Sequence, residues 1–232
     1  YIEMAGVAKE APEILGMDEF SVRKGRRYQT LFCDLRLGRR LQVVDGRDKE
    51  SAKSYLEKLS EPQKIKVVVM DMHGPYRAAV EECLPDAQIV ADKMHVVRLV
   101  NRALSKVRRR LQGPGRKEKP EVYEGRYLLL RDPGSLNEEE KSQLDKLLRD
   151  YPELRRAWLL KEDFRRWYRQ ADLQGARLEL TAWQREVEAG GPAEYRGLLR
   201  TLEQWREQIL NYFRYRVTNG YVEGSNNRTK AI

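Results

Sequence analysis

Cysteine is scarce in this chain of 232 residues, with only Cys33 and Cys83, and neither lies in a C-x-x-C pair. Neither a disulfide framework nor a zinc site is indicated, and a reducing cytoplasm is the natural setting. Long apolar runs are also missing: no segment approaches the roughly eighteen residues of a membrane span. No secretory signal pattern opens the chain. There is no long repeat and no low-complexity tract. An initiator Met is lacking too, since the sequence opens on Tyr1 and stops at Ile232 shortly after a glutamate-bearing motif, so it reads as a fragment.

One further scarcity is local. Residues 93 to 119 hold ten Lys or Arg and a single acid, Glu118, while the rest of the chain carries 35 of each sign. The whole net charge of +9 therefore resides in one stretch. A local basic block points to a phosphate-bearing partner more specifically than a high isoelectric point does.

The apolar pattern predicts an α/β domain. ILGMDEFSV, YQTLFCDL and RLQVVDG are three short strand candidates separated by the basic turns RKGRR and RLGRR, which suits an antiparallel meander. KESAKSYLEKL has Ala52, Tyr55, Leu56 and Leu59 at helical spacing, with Pro62 closing it. A helix there lets the next strand, KIKVVVMD, lie parallel to the first. YRAAVEECL reads as the next helix and AQIVA as a fifth strand. The segment MHVVRLVNRALSKVRRRLQ then reads as an amphipathic helix with Val97, Leu104 and Leu111 along one face, broken by Gly113, Pro114 and Gly115. From there to about Arg214 the periods are helical, with almost no strand signal. All four tryptophans, Trp158, Trp167, Trp183 and Trp205, fall in this part. Large aromatics at helical spacing are expected in a core. The organisation expected is a first core part over residues 1–105, an all-helical insertion over 106–214 and a final core helix over 215–232.

Three carboxylates stand out by position. Asp18 lies in the middle of the first strand, and Asp71 ends the apolar run of the fourth, at the rim where open α/β folds build their sites. If Gly220 ends a loop, the helix YVEGSNNRTKAI places Glu223, Asn227 and Lys230 on one face at i, i+4 and i+7. Glu223 would then point at the other two acids, with Asn227 and Lys230 facing a phosphate backbone. Three acids converging on one rim suit divalent-metal phosphodiester chemistry, because Mg²⁺ takes one or two carboxylates together with substrate phosphate and water. Taken singly, each acid has a plainer reading as a solvated strand end or helix face.

The segments LGMDEFSVRKGRRY, VVVMDMHGPYRAAV, QIVADKMHVVRLVNRAL and VTNGYVEGSNN together resemble bacterial insertion-sequence transposases of the DDE class, in the lineage called the ISL-three family. Order and spacing match over nearly the whole chain, with a looser middle from about Lys106 to Arg214. The resemblance implies a ribonuclease-H-like core, βββαβαβ with an all-helical insertion before the last core helix. It carries the acidic triad, catalytic and metal-holding, onto Asp18, Asp71 and Glu223, with two Mg²⁺ or Mn²⁺ ions per site. It also implies strand cleavage and strand transfer at element ends, DNA as the partner, a homo-oligomer in the full-length protein, and a nucleoid-associated place in the bacterial cytoplasm. Family members usually have an N-terminal DNA-recognition region and residues beyond this C-terminal end, so the resemblance implies that both fall outside this sequence.

Two readings stay open at this stage. Asp92 follows the fifth strand as Asp71 follows the fourth, so either could be the second ligand. The fifth strand lies one place farther from the first, which favours Asp92 and His95 as a supporting or DNA-facing pair in which Asp92 orients the imidazole. His73 has a weaker claim. Arg98, Arg102, Lys106, Arg108, Arg109 and Arg110 form a basic helix whose shortage of acids leaves no intrahelical salt bridges, favouring phosphate contact. Two rival functions fit the same residues: a ribonuclease-H-like nuclease or resolvase that only hydrolyses, and a non-catalytic DNA-binding remnant of a transposon.

Overall fold

The computed structural model describes residues 9–23, 27–115 and 118–220. Its organising element is a five-stranded mixed sheet: β1 (Ile14–Arg23), β2 (Arg27–Asp34), β3 (Arg39–Asp45), β4 (Val67–Met70) and β5 (Gln88–Ala91), in the spatial order β3-β2-β1-β4-β5. The first three strands pair antiparallel, whereas β4 and β5 join β1 in parallel. The reason is connection length. The turn after β2 is short: Asp34 Oδ1 accepts from the N–H groups of Arg36 and Leu37, each at 3.0 Å, and Gly38 takes φ 60°. A turn of that kind reverses the chain, while a parallel partner needs a crossover helix.

Helix α1 (Lys49–Leu56) provides the first crossover, started by Asp48, whose side chain accepts from the Ser51 N–H at 2.8 Å. Helix α2 (Gly74–Cys83) provides the second, with Pro75 in its first turn. This gives βββαβαβ, the ribonuclease-H-like order. All four residues of β4, VVVM, are buried, as expected of a central parallel strand covered on both faces. The two-residue strands Lys9–Glu10 and Leu59–Ser60 pair separately.

The two crossover helices pack together over one face of the sheet. Phe32 meets Tyr55 of α1 with ring centroids 4.3 Å apart, and Thr30 Oγ1 lies 2.7 Å from the Tyr76 hydroxyl of α2. On the opposite face Val67, Val69 and Val90 are packed by Tyr212, Tyr215 and Val217, brought by helix α9 (Arg206–Tyr215) and the chain beyond it. Asn211 of α9 donates to the Ile89 carbonyl of β5 at 2.8 Å.

The chain forms two compact units, residues 1–96 with 207–232, and residues 97–206. The first holds the sheet. The second is helical, comprising most of α3 (Lys93–Gln112), then α4 (Pro120–Glu124), α5 (Glu138–Asp150), α6 (Pro152–Trp167), α7 (Leu173–Gly190) and α8 (Ala193–Gln204). Its centre is aromatic. Phe164 contacts Trp167, Tyr168 and Trp183, and two buried indole N–H groups are paired, Trp167 Nε1 donating to the Ala176 carbonyl at 2.8 Å and Trp183 Nε1 to that of Leu160 at 2.9 Å. Trp167, Trp183 and Trp205 are buried, whereas Trp158 is half-buried.

The buried face of α3 differs from the one read in the sequence. Val96, Val100, Ala103, Leu104 and Val107 are buried, while Val97 and Leu111 are only partly covered.

Candidate metal centre

The register of the sheet places the acids. Gly16 pairs with Val69 and Met70 with Ala91, so continuing each ladder in step brings Asp18 level with Asp71, and Asp71 level with Asp92. The ladder does continue past the strand ends, since the Asp92 N–H donates to the Met70 carbonyl at 2.8 Å. Three aspartates thus occupy one rung of three adjacent parallel strands. The pleat puts them on the same face as Val67, Val69 and Val90.

Asp18 and Asp71 are nearly buried, at 5% and 9% exposure, and Asp92 is fully buried. With His95, in the first turn of α3, Asp18 and Asp71 offer ligand atoms that all lie within 4.8 Å of one another, forming the one such group among the described residues. Asp92 differs in what its oxygens hold. Oδ1 accepts from the Asn219 N–H at 2.8 Å, and Oδ2 from the Met94 N–H at 3.1 Å and from His95 Nδ1 at 3.2 Å. Both of its oxygens are therefore committed within the protein.

His95 Nδ1 stands between two carboxylates, 2.7 Å from Asp71 Oδ1 and 3.2 Å from Asp92 Oδ2. A ring nitrogen between two acids carries the proton. It serves both carboxylates, with a hydrogen bond to Asp92 Oδ2 and a shorter ion-pair contact to Asp71 Oδ1. The two acids separate electrostatically in consequence. Burial raises the Asp71 carboxyl above the usual aspartate range, and His95 only partly offsets this. Burial acts the same way on Asp92, but the bonds from His95 and the Asn219 N–H outweigh it and hold that carboxyl below its ordinary value.

The donor set fits a hard divalent cation. Two buried carboxylates side by side at the rim, with ligand atoms within 4.8 Å of each other, are what Mg²⁺ or Mn²⁺ would complete. His95 is better placed to fix Asp71 than to bind the ion itself, because Nδ1 already faces two carboxylates and Mg²⁺ favours oxygen.

The remaining sequence candidates are scattered. Glu223, Asn227 and Lys230 lie outside the described residues. His73 caps α2 and meets Tyr76 edge-on with ring centroids 4.7 Å apart, and burial lowers its basicity. Arg98, Arg102, Lys106 and Arg109 of α3 are exposed at spacings of four, four and three, forming one stripe. Arg108 and Arg110 depart from that stripe. Arg108 is buried and bonds Gln112, while Arg110 holds both Glu153 and Glu194.

Sequence reading missed Asn219. Its side chain donates to the Met17 carbonyl at 2.8 Å while its N–H serves Asp92, so one buried residue ties β1 to the end of β5. The only sequence signal is the Asn-Gly pair in VTNGYV, which reads as an ordinary loop.

The family model DDE_Tnp_ISL3, described as Transposase, matches residues 15–232. The chain is 32% identical over 228 residues to the transposase for insertion sequence element IS1001 of Bordetella parapertussis, covering 95% of this chain and 56% of that protein. It is 28% identical over 177 residues to the transposase for insertion sequence element IS1557 of Mycobacterium tuberculosis (strain CDC 1551 / Oshkosh), covering 65% of this chain and 40% of that protein. The chain spans about half the length of the curated relatives it matches.

Proposed function

Since the chain belongs to the ISL-three family of transposases, we propose that it is the catalytic part of a DNA transposase that cleaves phosphodiester strands at insertion-sequence ends and transfers them to a target. The observation that carries this reading is the grouping of Asp18, Asp71 and His95 at one rim of the sheet, with ligand atoms all within 4.8 Å of one another. Asp18, Asp71 and Glu223 would hold two divalent ions. When bound, such ions supply Lewis-acid stabilisation and an activated oxygen nucleophile for in-line displacement at phosphorus.

The chain's own groups do the rest. Asp18 and Asp71 present oxygens on adjacent strands of a rigid sheet, so their separation is set by the ladder and not by loop motion. Asp92 orients His95, and His95 steadies Asp71 through Nδ1. On α3, Arg98, Arg102, Lys106 and Arg109 form an exposed stripe for DNA phosphates, which fixes position without reading sequence. We read the helical unit as an insertion into the core, and the full-length protein as a homo-oligomer acting on DNA in the bacterial nucleoid.

The test is strand cleavage and joining by the full-length protein on an element-end duplex with Mg²⁺. Asp18→Asn, Asp71→Asn or Glu223→Gln should each abolish both steps and leave the fold intact. Retained cleavage in Asp71→Asn with loss in Asp92→Asn would move the second ligand to Asp92. Cleavage without joining in the parent would reduce the activity to that of a nuclease.

A further inference from the structure

Asn219 makes two buried contacts that span almost the whole chain. Its N–H reaches Asp92 Oδ1 at 2.8 Å, 127 positions away, and its Nδ2 reaches the Met17 carbonyl at 2.8 Å, 202 positions away. The residue is 1% exposed. Both anchors sit on the rung of aspartates: Met17 immediately precedes Asp18, and Asp92 is the third acid of that rung. The strand has made room for this side chain. A Cβ added at Gly16 would lie 2.9 Å from Asn219 Oδ1 and 2.7 Å from Leu35 Cδ2, closer than side chains tolerate. A side chain at position 16 would have to displace Leu35 or the Asn219 amide.

From this geometry we infer that Asn219 is a positioning residue, a latch that sets where the chain enters the segment bearing Glu223 relative to the strand bearing Asp18. The inference rests on the metal reading proposed above. Glu223 follows Asn219 by four residues, so fixing Asn219 at β1 bounds how far that carboxylate can stray from Asp18. Asp92 then has two tasks. It orients His95 with Oδ2 and anchors the latch with Oδ1, which accounts for a fully buried acid that offers no oxygen outward. The bonds are short and shielded from water, where removing one partner leaves the other group unsatisfied.

The experiment compares Asn219→Ala, Asn219→Asp and Gly16→Ala with the parent chain and with Asp18→Asn. Asn219→Asp keeps the shape and the backbone bond to Asp92 but turns an oxygen toward the Met17 carbonyl, so it opens the latch without opening a cavity. Two readouts are taken: amide hydrogen exchange of metal-free protein over peptides covering 217–232, and Mn²⁺ affinity by electron paramagnetic resonance titration. The latch predicts faster exchange in 217–232 for all three variants, with β1, β4, β5 and α9 unchanged. It also predicts Mn²⁺ affinity lowered by about tenfold or more, the usual effect of losing a supporting partner. Asp18→Asn should lower Mn²⁺ affinity with exchange as in the parent. Parental exchange and parental Mn²⁺ affinity in Asn219→Ala, which has no side-chain donor in any protonation state, would overturn the latch. Unchanged Mn²⁺ affinity in Asp18→Asn would instead overturn the metal reading, with the exchange data still deciding the latch.

Discussion

The imidazole Nδ1 of His95 stands 2.7 Å from Asp71 Oδ1 and also hydrogen-bonds Asp92 Oδ2 at 3.2 Å. The ring that Asp92 holds in place therefore also steadies the Asp71 carboxylate through hydrogen bonding and charge. Removing the ring should loosen Asp71. His95→Ala is expected to lower Mn²⁺ affinity by about tenfold, with His95→Gln retaining part of it. Calorimetric titration of metal-free protein with MnCl₂ checks this, and equal affinity in parent and His95→Ala would remove His95 from the site.

Asp71 also makes a pH-dependent prediction. Burial raises its folded-state value above 3.8, so the native state binds this proton more tightly than the unfolded chain does. Stability contributed by this group is therefore present in acid and is lost as pH rises from about 3.8 through the raised value. Asp71→Asn removes the buried charge. In divalent-free buffer its melting temperature should exceed that of the parent at neutral pH, and the difference should vanish in acid. A lower melting temperature for Asp71→Asn at neutral pH would show that the contact with His95 outweighs burial.

The arginines of α3 separate into two groups with different consequences. Changing Arg102, Lys106 and Arg109 together to Gln should weaken binding equally for unrelated DNA sequences. It should also flatten the salt dependence by about 0.9 log–log units for each phosphate left without its cation. Arg110→Gln breaks the pairs with Glu153 and Glu194; Arg110 and Glu153 are about half exposed and Glu194 is partly covered, so the change should cost about 1 kcal/mol of stability with the salt slope unchanged. Affinities measured at several salt concentrations decide it. An unchanged slope in the triple variant would take the stripe off the DNA path.

The aromatic centre of the helical unit should behave as a core. Trp183→Ala removes a side chain that is 5% exposed and packed on Phe164, for an expected loss of about 3–5 kcal/mol in urea unfolding. DNA affinity of the residual folded protein should not change. A DNA-binding defect without loss of stability would make Trp183 a contact residue.

What the sequence made legible follows from local pattern. Apolar pattern and turn chemistry marked β1 to β5. The crossover helix makes β4 run parallel to β3 and therefore to β1, and the ribonuclease-H-like order implied by the resemblance puts β4 next to β1 and so Asp71 beside Asp18. The α3 face is misread from sequence because Val97, Leu104 and Leu111 repeat every seven residues, whereas burial follows Val96, Val100, Ala103, Leu104 and Val107. That spacing also covers Arg108, four residues after Leu104, so its burial is readable once the right face is chosen. The partners of Arg110 are not readable, since Glu153 and Glu194 are distant in sequence and meet it only through helix packing. The double role of Asn219 is equally hidden. Nothing local distinguishes a loop asparagine from one whose amide closes against a strand 202 residues earlier.

The most direct measurement is anomalous diffraction from a crystal of this chain soaked in MnCl₂. The account predicts density bridging the carboxylates of Asp18 and Asp71 at metal–oxygen distances of about 2.1 Å, with Asp92 still bonded to Asn219 and His95. Density on Asp92 or His95 with Asp71 uncoordinated, or no density at this rung at millimolar Mn²⁺, would contradict it.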